Sequence, residues 1–103
     1  MAITDPLTGL LNRKGFDEQL KKVMQGDLHI HCVGIQMDID DFKFINDMYG
    51  HVVGDAALKS LAQDIQSYFN DNSIICRNGG DEFSAILVDT TEEEARKKIE
   101  QFT

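Results

Sequence analysis

The side chains best suited to chemistry in this sequence are carboxylates that lie beside bare backbone. Asp38 and Asp40 alternate at the end of one apolar run, and a Gly-Gly-Asp-Glu segment at 79–82 separates two others. Carboxylates that gather within a few ångströms repel one another, and protonation or a bound divalent cation relieves that repulsion. All-oxygen ligands favour Mg²⁺ or Mn²⁺. If the fold brings the two segments together, they form a candidate metal site.

The glycine pair, Gly79 and Gly80, allows two interpretations. Asn-Gly-Gly-Asp at 78–81 is a strong hairpin signal, so the pair could serve only a tight turn. Missing side chains also let a ligand approach the backbone closely. The convergence of the flanking carboxylates with the Asp-x-Asp of 38–40 favours the second interpretation.

The elements that must position these residues follow from apolar periodicity. Residues 29–40 alternate as in a strand, with Ile35 and Met37 on the apolar face. The opposite face then carries both Asp38 and Asp40. Three residues at the start of this segment, His29, His31 and Cys32, match no common zinc spacing, so the strand interpretation is preferred.

Helical spacing and end signals predict four helices. The first ends near residues 25–27, and a short second helix ends at Gly50. A longer helix follows, with Asp55 in a suitable position for its N-cap. The last opens with a capping box formed by Thr91 and Glu94.

The order of these elements predicts the fold class. Helix, strand, helix, helix, strand, strand, helix indicates an α+β fold in which the first strand pairs antiparallel with the third, as in a split βαβ unit. The predicted hairpin strands are 73–77 and 82–88. In this arrangement the end of the first strand and the hairpin tip share one sheet edge, so the carboxylates of 38–40 would approach those of 81–82.

Composition sets limits on partners and compartment. The 103 residues suffice for one domain, and 42% hydrophobic with 27% charged residues is typical of a globular protein. A net charge of −8 disfavours nucleic-acid binding and direct contact with an anionic membrane. Cys32 and Cys76 lie in apolar runs, which predicts reduced thiols in a cytoplasmic domain. We find no membrane span or signal peptide, although the parent protein could be anchored through other segments.

Four ordered stretches resemble the GGDEF family, the diguanylate cyclases, which join two GTP molecules into cyclic di-GMP. They are "DPLTGLLNRKGF", "MDIDDFKFINDMYGH", "VGDAALKSLA" and "RNGGDEF". The resemblance covers nearly the whole chain. It implies a nucleotidyl-cyclase or polymerase palm with a ferredoxin-like core, in which helices pack on a mainly antiparallel sheet.

The resemblance also implies roles for individual residues. The side chains of Asp38 and Asp81 and the carbonyl of Ile39 would bind two Mg²⁺ or Mn²⁺ ions per half-site. Lys43 would stabilise the charge that develops in the transition state. Asp81 or Glu82 would take the proton of the attacking hydroxyl.

A second set of residues would bind the substrate. The backbone N–H groups of residues 41–44, including Phe42, would contact the phosphates, and Gly79 and Gly80 would admit the nucleotide. Asn46 and Asp55 match the guanine-binding positions, with His51 beside the substrate. The residues alone also allow purely structural roles. Asn46 could be a polar group at a helix end, His51 a surface loop residue and Asp55 an N-cap.

The sequence departs from the family pattern at several positions. Asn78 replaces a common aromatic residue, and Asp41 replaces a common histidine. An inhibitory Arg-x-x-Asp motif of many members corresponds here to Asn70 and Ser73, so we expect no product feedback through that site. The chain matches the N-terminal two-thirds of the usual domain, without its last strand and helix. We therefore expect the first strand to be an open edge and the chain alone to have poor activity.

These observations support one leading hypothesis and two alternatives. The first is a homodimeric diguanylate cyclase domain, with one GTP per subunit, fused to a sensory or regulatory domain. The second is a non-catalytic module that binds GTP or a partner. A purely structural dimerisation unit would leave the carboxylates of 38–40 and 81–82 unexplained.

Overall fold

The computed structural model of the protein describes residues 2–26, 31–69 and 73–102. Its elements in chain order are helix α1 (Arg13–Gly26), strand β1 (Cys32–Asp38), helices α2 (Phe42–Tyr49) and α3 (His51–Tyr68), strands β2 (Ser73–Gly79) and β3 (Glu82–Val88), and helix α4 (Glu92–Phe102). The predicted α+β class and the predicted order of elements are confirmed. Three residues used in the sequence predictions lie outside the described residues. They are Asp27 at the predicted end of the first helix, His29 at the predicted start of the first strand, and Asn70 at a position of the inhibitory motif.

The described strands form one antiparallel sheet in the order β1-β3-β2. Strand β1 pairs with β3 along its full length, from Cys32 opposite Val88 to Asp38 opposite Glu82. This confirms the predicted pairing of the first and third strands. The carboxyl end of β1 therefore lies beside the start of β3, next to the hairpin turn.

Strand β1 shows the predicted alternation but is shorter than predicted. Ile35 and Met37 are half-buried, whereas Gln36 and Asp38 are exposed. The strand ends at Asp38, and residues 39–40 lead into α2. The prediction that the strand continues to Asp40 is therefore wrong.

Two apolar clusters hold the sheet to its helices. The larger one joins β3 to the N-terminal segment and to helices α3 and α4, and its buried members are Leu10, Leu58, Ala62, Ile65, Phe69, Phe83, Leu87 and Ala95. The smaller one joins α1 to β2 through Phe16, Ile74 and Cys76. At about 25 cal/mol per Å² of buried apolar surface, these clusters are the main source of stability.

Both cysteines are free thiols, as predicted from their apolar surroundings. Cys76 is fully buried and Cys32 is half-buried. Burial raises the pKa of the Cys76 thiol, which outweighs the lowering effect of a backbone hydrogen bond from Ser84. Cys76 therefore stays protonated and acts as a small core residue.

Helix α3 begins five residues earlier than the predicted N-cap at Asp55 implies. Gly50 separates α2 from α3 with φ 89° and ψ 168°, and α3 starts at His51. Glycine adopts this positive φ without strain, so the chain changes direction in a single residue. Asp55 consequently lies inside the helix, and the prediction that it is the N-cap is wrong.

The start of α4 follows the sequence prediction closely. The Glu94 N–H donates to Thr91 Oγ1 (3.2 Å), and the Thr91 N–H donates to Glu94 Oε1 (3.3 Å). This reciprocal pair is the predicted capping box. Among the described residues, no helix combines the length and the apolar character needed to cross a membrane.

Candidate active site

Asp38 and Glu82 lie opposite each other at the end of the sheet. The register places Asp38 directly opposite Glu82. Side chains of directly opposed residues in an antiparallel pair lie on the same face, with Cβ atoms about 4.5–5.5 Å apart. Both residues are exposed. Two carboxylates that are 44 positions apart in sequence numbering therefore become neighbours at an accessible edge.

The hairpin turn beside this pair contains a β-bulge. Arg77 is opposite Phe83 and Gly79 is opposite Glu82, so Asn78 is the extra residue. Gly79 has φ 138° and Gly80 has φ 55°, two values that side-chain-bearing residues rarely adopt. Nothing lies within 4 Å of a Cβ built at either glycine. The turn therefore requires glycine at residue 79 and favours it at residue 80, and it is also open toward any ligand.

Asn78 fastens the bulge to the opposite strand. Its Nδ2 donates to Ser84 Oγ (2.6 Å), and the Cys76 thiol donates to its Oδ1 (3.2 Å). Asn78, which replaces the common aromatic residue of the family pattern, thus belongs to a polar network. This network holds Asn78 to its own hairpin.

Arg77 holds the turn from the other side. Its Nε and Nη2 both donate to the Gly80 carbonyl, at 3.0 and 2.8 Å. Its Nη1 donates to Asp5 Oδ1 and Oδ2, at 3.0 and 3.3 Å. Both side chains are 15% exposed. The N-terminal segment is therefore tied directly to the signature turn.

Asp5 is itself locked in place. The Thr8 N–H and hydroxyl donate to Asp5 Oδ2, at 2.9 and 2.8 Å. Burial alone would raise the pKa of Asp5, but the hydrogen bonds from Thr8 and Arg77 and the charge of Arg77 together lower it. The Asp5 carboxylate is therefore ionised at neutral pH, and it orients Arg77.

The other two predicted carboxylates, Asp81 and Asp40, do not lie opposite Asp38 or Glu82 in the sheet. Asp81 lies in the turn and is half-buried, while Asp40 is exposed in the turn before α2. Within the described ranges, no three His, Cys, Asp and Glu side chains are grouped so as to hold a metal ion. The predicted gathering of four carboxylates is therefore not found, because β1 ends before Asp40 and the chain turns away there.

The donor set at this edge nevertheless suits a hard divalent cation. Asp38 and Glu82 offer carboxylate oxygens from one face of the sheet, and Asp81 offers a third from the adjoining turn. The carbonyl of Ile39 follows Asp38 directly. Carboxylate and carbonyl oxygens are the preferred ligands of Mg²⁺ and Mn²⁺.

Helix α2 begins beside this edge with free backbone donors. Its N-cap, Asp41, has the left-handed φ 57° and ψ 30° and makes no side-chain capping bond. The first intrahelical bond runs from the Ile45 N–H to the Asp41 carbonyl (2.9 Å). The N–H groups of residues 42–44 thus lack helical acceptors, as at any helix start. Phe42 packs against the larger core cluster, and Lys43 is exposed.

The predicted base-binding residues lie at the corner between α2 and α3. Asn46 is half-buried in the last turn of α2, and His51 and Asp55 are exposed on α3. His51 is the first residue of α3, so its alternative role as a surface loop residue is wrong. With the N-cap role of Asp55 also excluded, the structure places all three on one helical corner.

Sequence reasoning missed the contribution of Arg77 and Asp5. The two residues are 72 positions apart, and a single charge pair at that separation leaves no periodic signal. The Asp-Pro-Leu-Thr sequence of 5–8 is typical of a turn, but it does not indicate a partner in the hairpin. That an Arg directly precedes the glycine turn was the one available hint.

Comparison with known proteins shows the family of the chain. A family model described as "Diguanylate cyclase, GGDEF domain" matches residues 2–103. The diguanylate cyclase DgcP of Pseudomonas aeruginosa is 39% identical over 106 aligned residues, which cover 97% of this chain and 15% of DgcP. The cyclic di-GMP phosphodiesterase PdeB of Shewanella oneidensis is 41% identical over 88 residues, which cover 84% of this chain and 10% of PdeB.

A solved structure shows the same fold. The GGDEF domain of DgcB from Caulobacter crescentus, in complex with c-di-GMP, superposes with a TM-score of 0.87 at 31% identity. The match covers 99% of this chain and 61% of that one. The chain therefore spans only part of each of these relatives.

Proposed function

Because the chain belongs to the GGDEF family of diguanylate cyclases, we propose that it condenses two GTP molecules into cyclic di-GMP and releases pyrophosphate. The observation that carries the proposal is the register of β1 and β3, in which Asp38 faces Glu82 beside the glycine turn. A role in cyclic di-GMP signalling agrees with the names of the relatives DgcP and PdeB.

The proposed metal ligands are Asp38, Asp81 and the carbonyl of Ile39, with two Mg²⁺ or Mn²⁺ ions per half-site. When bound, such ions supply activation of the attacking 3′-hydroxyl and neutralisation of the leaving pyrophosphate. The protein's own contribution is to fix the ligands. Asp38 is held by the sheet register, and Asp81 by a turn that Arg77 clamps at Gly80.

Glu82 is the better candidate for the proton acceptor. Its position opposite Asp38 is fixed by strand pairing, and its side chain is exposed. Asp81 is committed to the metal in this proposal. A carboxylate at this position can accept the proton of the attacking hydroxyl.

The phosphates would bind at the start of α2. The N–H groups of residues 42–44 have no helical acceptor, and the positive end of the helix dipole favours anions. Lys43 is exposed there and would balance charge on the transferring group. This local device compensates for the overall charge of −8.

Guanine would be recognised at the corner of α2 and α3. The Asp55 carboxylate can accept from the N1–H and N2 amino edge of guanine, which adenine lacks. The Asn46 carboxamide supplies a further donor and acceptor. His51 lies between them in sequence and is exposed on the same corner.

One half-site holds only one GTP, so the proposed reaction requires a homodimer in which each subunit presents a nucleotide. The product contains two guanylyl units, and each 3′-hydroxyl attacks the nucleotide held opposite. Fusion to a sensory or regulatory domain would then control how the two domains meet.

The second candidate is a regulatory module that binds GTP without turnover. It is favoured by the similarity to PdeB, a relative named for the opposite activity. Both candidates use the same nucleotide contacts. They differ in whether the Asp38–Glu82 edge performs chemistry.

The test compares nucleotide binding with turnover in isosteric variants. Purified protein is incubated with GTP and Mg²⁺ or Mn²⁺, and cyclic di-GMP and pyrophosphate are quantified alongside the affinity for Mn²⁺-GTP. We expect Glu82→Gln to bind Mn²⁺-GTP but to lose about 100-fold or more in product formation. Asp38→Asn should lose metal-dependent binding as well.

The matched control is Glu18→Gln, which removes an exposed carboxylate from α1. It should leave both binding and turnover unchanged. Binding of Mn²⁺-GTP without product from any form would support the regulatory module. Undiminished turnover in both Asp38→Asn and Glu82→Gln would refute the catalytic assignment.

A further inference from the structure

Three residues spaced one helical turn apart shape the corner between α2 and α3. The Gly50 N–H donates to the Asn46 carbonyl (2.9 Å), and the Gly54 N–H donates to the Gly50 carbonyl (3.2 Å). Because α2 and α3 meet at Gly50 alone, residues four before and four after it are brought together. Asn46 and Gly54 are these two residues.

The Asn46 side chain occupies the space that a side chain at Gly54 would need. A Cβ built on Gly54 would lie 2.9 Å from Asn46 Cγ and 3.5 Å from Asn46 Nδ2, and nearer still to Asn46 Oδ1. Gly54 is buried. A methyl group and the Asn46 carboxamide cannot both occupy this space.

Backbone conformation does not explain glycine at this position. Gly54 lies within the regular helix α3, and its φ is not among the positive values recorded for the other glycines. Helix propensity alone favours alanine over glycine here. The close approach of Asn46 is therefore the physical reason for a missing side chain.

We propose that Gly54 is a positioning residue that sets nucleotide specificity, because its bare backbone is the seat of the Asn46 carboxamide. The carboxamide lies where a Gly54 side chain would be, so a side chain at this position would displace it. Asp55 follows Gly54 directly, so the same backbone segment fixes both guanine-binding groups relative to each other. This inference rests on the guanine contacts of the proposed function.

The first experiment measures the contact itself, without nucleotide. Thermal unfolding is recorded for the wild type, Gly54→Ala, Asn46→Ala and the double variant. Gly54→Ala should lower the midpoint by up to about 5 °C in the presence of Asn46, because the alanine methyl group has to displace the Asn46 carboxamide. In the Asn46→Ala background it should cause no loss, because the clashing atoms are gone. Equal losses of the unfolding midpoint in both backgrounds would refute the contact between Asn46 and Gly54.

The second experiment measures specificity as the ratio of the ATP to the GTP dissociation constant, each nucleotide bound with Mn²⁺. Gly54→Ala should lower this ratio about tenfold, the effect of one lost hydrogen bond to the base. A merely structural defect would weaken both nucleotides alike and leave the ratio unchanged. The double variant should match Asn46→Ala.

Gly34→Ala is the matched control. Gly34 is exposed in β1, and a Cβ there would meet only Ile86 Cδ1 at an ordinary 3.5 Å. The ratio of the ATP to the GTP dissociation constant of Gly34→Ala should equal that of the wild type.

The outcomes separate this inference from the proposed function. A lowered ratio in Asn46→Ala but not in Gly54→Ala would overturn the role of Gly54 alone. An unchanged ratio in Asn46→Ala would refute the guanine contact, and the specificity role of Gly54 with it. If Gly54→Ala does not fold, recovery of folded protein in the double variant supports the seat, and no recovery overturns it.

Discussion

Replacing Arg77 with alanine would remove the clamp that ties the N-terminal segment to the glycine turn. Arg77 makes two hydrogen bonds to the Asp5 carboxylate and two to the Gly80 carbonyl. The Gly80 carbonyl is at an exposed turn, where water can replace the guanidinium. The loss should therefore come mainly from the ion pair with Asp5.

The burial of that ion pair sets the magnitude. With both side chains 15% exposed, the pair lies between exposed pairs, worth about 0–1 kcal/mol, and fully buried ones, whose breakage costs about 3–5 kcal/mol. Thr8 still donates two hydrogen bonds to Asp5 after the substitution, which limits the penalty. We expect a loss of about 2–3 kcal/mol in the free energy of unfolding and a fall of about 10–20 °C in Tm.

The assay is urea and thermal unfolding at pH 7, followed by circular dichroism. Arg96→Ala is the matched control, because Arg96 pairs with Glu92 at the same 3.0 Å but with side chains 70% and 83% exposed. That substitution should cost only about 0.3–0.5 kcal/mol. Equal losses in the two variants would refute the reasoning that burial, rather than the presence of an ion pair, decides its contribution.

Two further predictions concern the same region. The pKa of Asp5 is lowered in the folded protein. Its contribution to the free energy of unfolding is therefore present above pH 3.8, the ordinary pKa, and is lost as the pH falls through the lowered pKa of the folded state. The difference in unfolding free energy between wild type and Asp5→Asn, measured by urea titration across pH, should thus shrink below pH 3.8; a constant difference would contradict it. At the turn, Gly80→Asn should be nearly neutral, because asparagine tolerates the φ of 55°, whereas Gly79→Asn at φ 138° should cost about 1–3 kcal/mol. Equal costs in urea unfolding would show that φ does not govern the glycine requirement.

Local sequence signals predicted most of the fold. The alternation of Ile35 and Met37 with Gln36 and Asp38 predicted the body of β1 but not its ends, because one face of that strand packs on the core. The capping box at α4 was also predicted, since its two hydrogen bonds join residues three apart. Both signals depend only on near neighbours in the chain.

The errors arose where one backbone conformation overrides a side-chain preference. Asp55 has the chemistry of an N-cap, but the positive φ of Gly50 lets α3 begin at His51. Asp40 continues the alternation of β1, but strand pairing stops at Asp38 and Asp41 takes a left-handed conformation. Neither backbone angle can be derived from residue type alone.

The candidate site was predicted unevenly for a related reason. The approach of Asp38 to residues 81–82 followed from the predicted antiparallel pairing of the first and third strands, whereas the register that places it opposite Glu82 came from the structure. The link from Asp5 to Arg77 depends on one side chain reaching across 72 positions, and the seat of Asn46 on Gly54 depends on a corner made by a single residue. Such contacts are specific to individual atoms and leave no repeating pattern.

The single-residue junction at Gly50 also constrains how this domain can vary in length. One inserted residue would rotate α3 by about 100° about its axis and shift it by about 1.5 Å relative to α2. The residues proposed to bind the phosphates, on α2, and those proposed to bind guanine, at the corner, would then no longer face the same nucleotide. Insertions and deletions are therefore better tolerated on other connections than at this corner.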